Sequence, residues 1–209
     1  MTYVDLTAIE ATPLTADPYD YMVVPDCISA TGLVAANRDY PDIDTPGNKD
    51  LEELQYGPGF QGLIDELESP ELRQAISDKF NIDLDDAWTT ITVRKFCEPS
   101  DGNIHTDHWS KVITVLVYFN TDWDNNAGQL RLLRSPDDIE DYAAEVPPAG
   151  GTLLAFRRTD ISWHGHKRFV GERRMLQLNF VKTGRTARYT QQFSRFSTRM
   201  MKRVARLVQ

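Results

Sequence analysis

The chain has 209 residues, of which 41% are hydrophobic and 26% charged, ordinary proportions for one soluble globular domain with room for one good core. No apolar run approaches the roughly 20 residues of a membrane helix, and "MTYVDLTAIEATPL" has neither the basic start nor the apolar stretch of a secretory signal; Cys27 and Cys97 are too few for a disulfide framework, so a reducing, cytoplasmic setting is the expectation. The net charge of −8 is uneven: residues 184–209 hold seven basic residues and no acidic one, leaving 16 basic against 31 acidic in the remainder, a balance that argues against nucleic acid as a partner of the main body.

In chain order, "YDYMVVPDCIS" reads as a short strand leading to Ser29, an N-cap for a helix through about Asn37. Tyr40 to Gly59 is rich in Pro, Gly, Asp and Asn and reads as loop. "FQGLIDELESPELRQAISDKF" holds two helices, punctuated by Ser69 as an N-cap and Pro70 in the first turn. From Trp88 the character changes to strands, expected at Trp88–Phe96, Val112–Asn120, Gln129–Leu133, Thr152–Arg157 and Met175–Val181. Turn chemistry in "NTDWDNNAGQ" and "PPAGG" separates them, and a short helix is expected around Pro136–Ala143. Helices followed by many short strands predict a mainly β sandwich or barrel with helices packed on one face.

The chain has four histidines, and they fall in two places. "NIHTDHWSKVITVLVYFN" sets His105, Asp107 and His108 just before an aliphatic strand; His164 and His166 flank a glycine far downstream. In extended backbone, side chains two apart share a face, so His105 and Asp107 can reach one point, with His164 the distal candidate. Two histidines and one carboxylate hold non-haem Fe(II) with positions left open for dioxygen and a co-substrate. A lone His-x-Asp is common by chance, and a histidine near a turn is more often just solvated.

The context is more specific. "VRKFCEPSDGNIHTD", "VITVLVYFNTDWDNNAGQLRL", "PPAGGTLLAFRR" and "SWHGHKRFVGERRMLQLNF", in this order, resemble the Fe(II)/2-oxoglutarate dioxygenases, and within them the prolyl-hydroxylase-like branch. The resemblance runs from about Trp88 to Val181, with a weaker echo in "YMVVPDCIS". It implies a double-stranded β-helix, the jelly-roll barrel, over residues 1–183. It also implies iron ligation by His105, Asp107 and His164, with Fe(II), 2-oxoglutarate and O2 as the cofactors. The expected reaction is hydroxylation of a C–H bond with release of succinate and carbon dioxide; members that halogenate replace the acidic ligand, and this chain keeps Asp107.

The family anchors the far carboxylate of 2-oxoglutarate on a cation nine or ten residues after the distal histidine, which offers Arg173 or Arg174. Strand alternation puts Arg173, Met175, Gln177 and Asn179 on a polar face suited to a cavity, and Arg174, Leu176, Leu178 and Phe180 on an apolar face suited to packing. Arg173 is the choice. By the same match, Tyr118 and Gln177 fall where the family contacts 2-oxoglutarate, and Leu130 would line the pocket. Phe96 and Ala127 depart from the pattern, standing where the family often has a tyrosine and a glycine. His108 reads as solvated or pocket-rim, and His166 as a competitor to His164 for the metal.

Two rivals keep a jelly roll: a metal- or sugar-binding protein without oxygen chemistry, and a zinc hydrolase on the same three ligands. Neither needs an inward arginine. The substrate, a small molecule or a protein side chain, is set by loops such as "NRDYPDIDTPGNKDLEELQYGPGF". In residues 184–209, Phe193, Phe196, Met200, Val204 and Leu207 would form one stripe of a basic amphipathic helix. That pattern fits packing on the acidic barrel, a homodimer contact, or an anionic membrane surface.

Overall fold

A computed structural model describes residues 1–121 and 123–182; the basic amphipathic segment expected at 184–209 lies outside the described residues. Among the described residues, no helix is long and apolar enough to cross a membrane.

Four helices come first. In α1 (Leu6–Ala11) the Asp5 carboxylate accepts the Ala8 N–H at 2.9 Å. At six residues it is too short for its periodicity to register, and the sequence does not announce it. Strand β1 (Tyr21–Val24) and helix α2 (Ala30–Arg38) follow, with Ser29 Oγ accepting the Gly32 N–H as the expected cap. The proline-rich loop is not wholly irregular, since it contains strand β2 (Lys49–Asp50) and a 3-10 turn at Leu51–Glu53. Helices α3 (Pro58–Leu67) and α4 (Pro70–Phe80) each begin on a proline, and Ser69 caps α4 through the Leu72 N–H.

Seven strands complete the described residues: β3 (Trp88–Cys97), β4 (Lys111–Tyr118), β5 (Leu130–Leu133), β6 (Tyr142–Val146), β7 (Leu153–Arg157), β8 (His164–Gly165) and β9 (Gly171–Val181). Their ladders are antiparallel and form two sheets, ordered β1-β7-β4-β9-β3-β2 and β6-β5-β8. This is the mainly β jelly-roll architecture expected. The helix expected at Pro136–Ala143 is not formed. Instead the segment turns and runs into β6, where Glu145 pairs with Arg131 of β5. Strand pairing there overrides a weak local helix preference.

Side-chain alternation divides the larger sheet. Ile113, Val115, Val117, Leu176, Leu178 and Phe180 face the helices and pack in one core with Phe60, Leu63, Leu67, Leu72 and Ile76. The opposite face, with Tyr21, Leu116, Tyr118, Leu154, Phe156 and Met175, packs on Leu130, Leu132 and Val146 of the smaller sheet. The space between the two sheets, where that second core gives way to polar residues, is the site.

Candidate active site

His105, Asp107 and His164 come together, each offering a ligand atom within 4.8 Å of the others. The route is not the continuous strand that their spacing implied. His105 makes a single isolated bridge, and Asp107 lies in irregular backbone. What unites them is a reciprocal pair of backbone hydrogen bonds: the N–H of each histidine donates to the other's carbonyl, both at 3.0 Å. The two rings therefore lie side by side, 4.4 Å between centroids. His164 stands at the start of β8, which β5 holds through the Leu132–His164 register.

The donor set suits a metal ion. His105 Nδ1 lies 2.9 Å from the Asn103 carbonyl oxygen and His164 Nδ1 lies 2.9 Å from that of Ser162. A carbonyl only accepts, so each ring carries its proton on Nδ1 and turns a bare Nε2 outward. That is the usual arrangement of a metal-binding histidine. Burial above all, with His105 next to it, lowers His164 to about 4, so its imidazole is neutral and ready to ligate at physiological pH. Burial alone would raise the Asp107 carboxyl. Lys111, then His164 and His105, outweigh that and hold it well below the usual carboxylate range. Both Asp107 oxygens are gripped from outside: Lys111 Nζ is 2.6 Å from Oδ1, and Thr114 Oγ1 donates to Oδ2 at 2.5 Å.

A cavity of about 300 Å³ opens on this cluster and is lined on β9 by Arg173, Met175 and Gln177. Arg173 is 2% exposed. Its Nε donates to the Gly128 carbonyl at 2.7 Å and its Nη1 contacts Met175 Sδ at 3.1 Å. Among the described residues no carboxylate pairs with it. Tyr118, fully buried on β4, lies beside it with the guanidinium carbon 5.3 Å from the ring centroid. The Tyr118 hydroxyl is buried without a hydrogen-bond partner. Burial raises its pKa, against the pull of Arg173. A buried cation with no carboxylate partner is costly unless a ligand meets it, and a carboxylate entering the cavity would do so.

Arg174 points the other way, to Glu172 at 2.5 Å and to Asn37, as alternation predicts. Gln177 lines the cavity but spends its amide N–H on Asn179 Oδ1 at 2.9 Å. Tyr118 lies behind the cavity surface, against Arg173, and not on the lining itself. Leu130 lines the cavity as expected. His108 does not; its Nδ1 meets Ser110 Oγ at 2.8 Å. His166 lines the same cavity outside the three-residue cluster, with Nδ1 2.8 Å from the Lys167 carbonyl oxygen. Burial first, and Arg173 second, lower it to about 4.

Three participants had no signal strong enough to find. Lys111 follows Asp107 by four positions, but a lysine that opens a strand has no reason to fold back on a carboxylate until the turn at residues 108–110 is known. Gly102 adopts φ +91°, and a Cβ there would collide with the His166 carbonyl oxygen, so only glycine lets the loop reach His105. Arg94 was readable only as part of the polar alternation Thr90, Thr92, Arg94.

The fold and donor set define a jelly-roll protein with a two-histidine, one-carboxylate cluster that could hold a metal ion. The model of the 2OG-Fe(II) oxygenase superfamily matches residues 93–181, the stretch that holds the whole cluster and Arg173. Residues 93–181 thus match the 2OG-Fe(II) oxygenases, an enzyme class that uses Fe(II), 2-oxoglutarate and O2. No curated protein matches the sequence. Among solved structures, a Pseudomonas putida prolyl-4-hydroxylase is similar at TM-score 0.58 and 16% identity, over 88% of this chain and 99% of that one. A Phytophthora capsici prolyl 4-hydroxylase is similar at 0.58 and 18%, over 90% and 68%. The viral collagen prolyl hydroxylase of Paramecium bursaria Chlorella virus-1, in its 2OG complex, is similar at 0.56 and 16%, over 80% and 99%. At such identities the likeness is one of fold.

Proposed function

We propose that the protein hydroxylates a C–H bond of its substrate, coupling this to conversion of 2-oxoglutarate and O2 into succinate and carbon dioxide. The observation that carries this reading is a buried, unpaired arginine in the same cavity as a two-histidine, one-carboxylate cluster. A metal- or sugar-binding jelly roll without oxygen chemistry, or a zinc hydrolase, has no use for that arginine.

His105 and His164 offer Nε2 and Asp107 an oxygen to Fe(II). Arg173 takes the far carboxylate of 2-oxoglutarate as a planar fork, with Tyr118 packed against its guanidinium. Gln177, tied to Asn179, borders the co-substrate. Bound iron and 2-oxoglutarate supply the oxidising chemistry, in which one atom of O2 enters succinate and the other the substrate hydroxyl. The protein's part is to orient the reactants and exclude water. Keeping Asp107 as third ligand favours hydroxylation.

The test is metal binding and turnover in paired variants. His105→Ala and His164→Ala abolish Fe(II)-dependent succinate release and weaken Mn(II) binding by equilibrium dialysis. His166→Ala retains tight Mn(II) binding. Loss of Mn(II) binding in His166→Ala with retention in His164→Ala would overturn the ligand assignment.

A further inference from the structure

Besides Arg173, the cavity wall carries a second arginine to which the reading above gives no task. Arg94 lies on β3, opposite Met175 of β9 in register, and both line the cavity. Its side chain is 14% exposed and fixed on one edge. Nε donates to Asn48 Oδ1 at 2.8 Å, Nη1 contacts Cys97 Sγ at 3.6 Å, and Nη1 lies 3.2 Å from Asp101 Oδ2. Among the described residues, Nη2 has no partner. The guanidinium is therefore held rigid by neighbours on one side and keeps N–H groups unspent on the other.

We propose that Arg94 binds a carboxylate on the substrate, so that the enzyme acts on a small carboxylic acid and not on an interior residue of a polypeptide. This rests on the oxygenase reading of the same site. A guanidinium already locked in place loses little conformational freedom on binding, and its planar fork matches a carboxylate. Asn48, Ser100, Asn103 and Gln177 line the same cavity and supply hydrogen bonds that suit a small polar molecule. The volume points the same way. About 300 Å³ is at the low end of the roughly 300–1,000 Å³ of small-molecule sites, and the co-substrate takes part of it. A carboxylate could come from 2-oxoglutarate or from the substrate. Arg173, more deeply buried and beside the unpartnered Tyr118 hydroxyl, is the better match to the co-substrate, which leaves Arg94 for the other.

The experiment uses the full chain with Fe(II) and 2-oxoglutarate, and reads succinate above the substrate-free background. The probes are the free L-amino acids and short straight-chain carboxylic acids, each beside its primary amide. At least one free acid stimulates succinate release and its amide does not. Arg94→Met raises the KM for that acid about 10- to 100-fold, as loss of a charged hydrogen bond should, and Arg94→Lys recovers part of the loss. Equal stimulation by acid and amide, or background turnover that no acid in the panel raises, overturns this proposal alone. So does an Arg94→Met variant in which the KM for the co-substrate rises instead. Absence of any succinate, background included, overturns the oxygenase reading with it. Should Arg94→Met fail to fold, the comparison of acid with amide on the unaltered chain decides.

Discussion

Asp107 is held on both oxygens, by Lys111 at 2.6 Å and by Thr114 at 2.5 Å, and the pair with Lys111 is largely withdrawn from solvent. Removing one partner of a buried pair strands the other charge, at a cost of about 3–5 kcal/mol. Lys111→Met should therefore destabilise the metal-free protein by about that much. A divalent cation would restore a positive charge beside Asp107, so Mn(II) should stabilise Lys111→Met against urea by more than it stabilises the unaltered chain. Equal stabilisation of the two would count against Asp107 as a ligand. At the other end of the cavity, Arg173→Ala should weaken 2-oxoglutarate binding by about a hundredfold or more, while Arg174→Ala, which loses Glu172, Asn37 and the face of Tyr40, should change it little. Titration calorimetry separates the two. A reversed order would refute the assignment of faces on β9.

Cys27 gives a residue-scale prediction away from the site. It is fully buried, and burial pushes its thiol up to about 12. A thiol whose pKa is raised on folding contributes stability that is intact below the unfolded value of about 8.5 and is lost as pH rises toward the folded value. The native protein should accordingly keep Cys27 unlabelled by iodoacetamide at pH 8 and label it only after unfolding in urea, as read by peptide mapping. Rapid labelling of Cys27 in the folded protein would contradict the burial.

At the scale of elements, β9 carries both cores and the site. Leu178 faces the helices and is wholly buried, so Leu178→Ala should cost about 2–5 kcal/mol in chemical denaturation. A cost below about 1 kcal/mol would mean that the strand is not packed as described. The two faces of β9 were legible in the sequence because period-2 alternation holds over the whole run from Arg173 to Phe180. The caps at Ser29 and Ser69 were legible for a different reason, since each is a local hydrogen bond to a backbone N–H three residues on. Strand β6 was not legible. Tyr142–Val146 is partly exposed and exists because β5 offers an edge, which no local pattern announces. The site divides in the same way. His105, Asp107 and His164 stood out by residue type and order. Their meeting depends on a bridge between residues 105 and 164 and on the positive φ of Gly102, and both are long-range or conformational. Gly102→Ala should therefore displace the loop that carries His105 and weaken Mn(II) binding, even where the melting curve stays cooperative. Unaltered Mn(II) affinity in that variant would show that the loop does not position the metal ligands.

For the whole molecule, all the proposed ligands and co-substrate contacts lie at or before Gln177. Deleting Tyr189–Gln209 should leave metal and 2-oxoglutarate binding intact while changing oligomeric state, solubility or affinity for anionic vesicles, the last falling as salt rises. A folded truncated chain that cannot bind 2-oxoglutarate would mean that the tail shapes the pocket. The central claim is that one cavity binds metal and 2-oxoglutarate together and turns them over with oxygen. Its most direct test is anaerobic reconstitution with Fe(II) and 2-oxoglutarate, admission of O2, and quantitation of succinate in the unaltered chain beside His164→Ala and Arg173→Ala. The account predicts succinate formed only when Fe(II), 2-oxoglutarate and O2 are all present, none in His164→Ala, and in Arg173→Ala only at much higher 2-oxoglutarate concentration. Succinate formation that survives His164→Ala, or a chain that binds Fe(II) through the triad yet forms no succinate under any of these conditions, would contradict it.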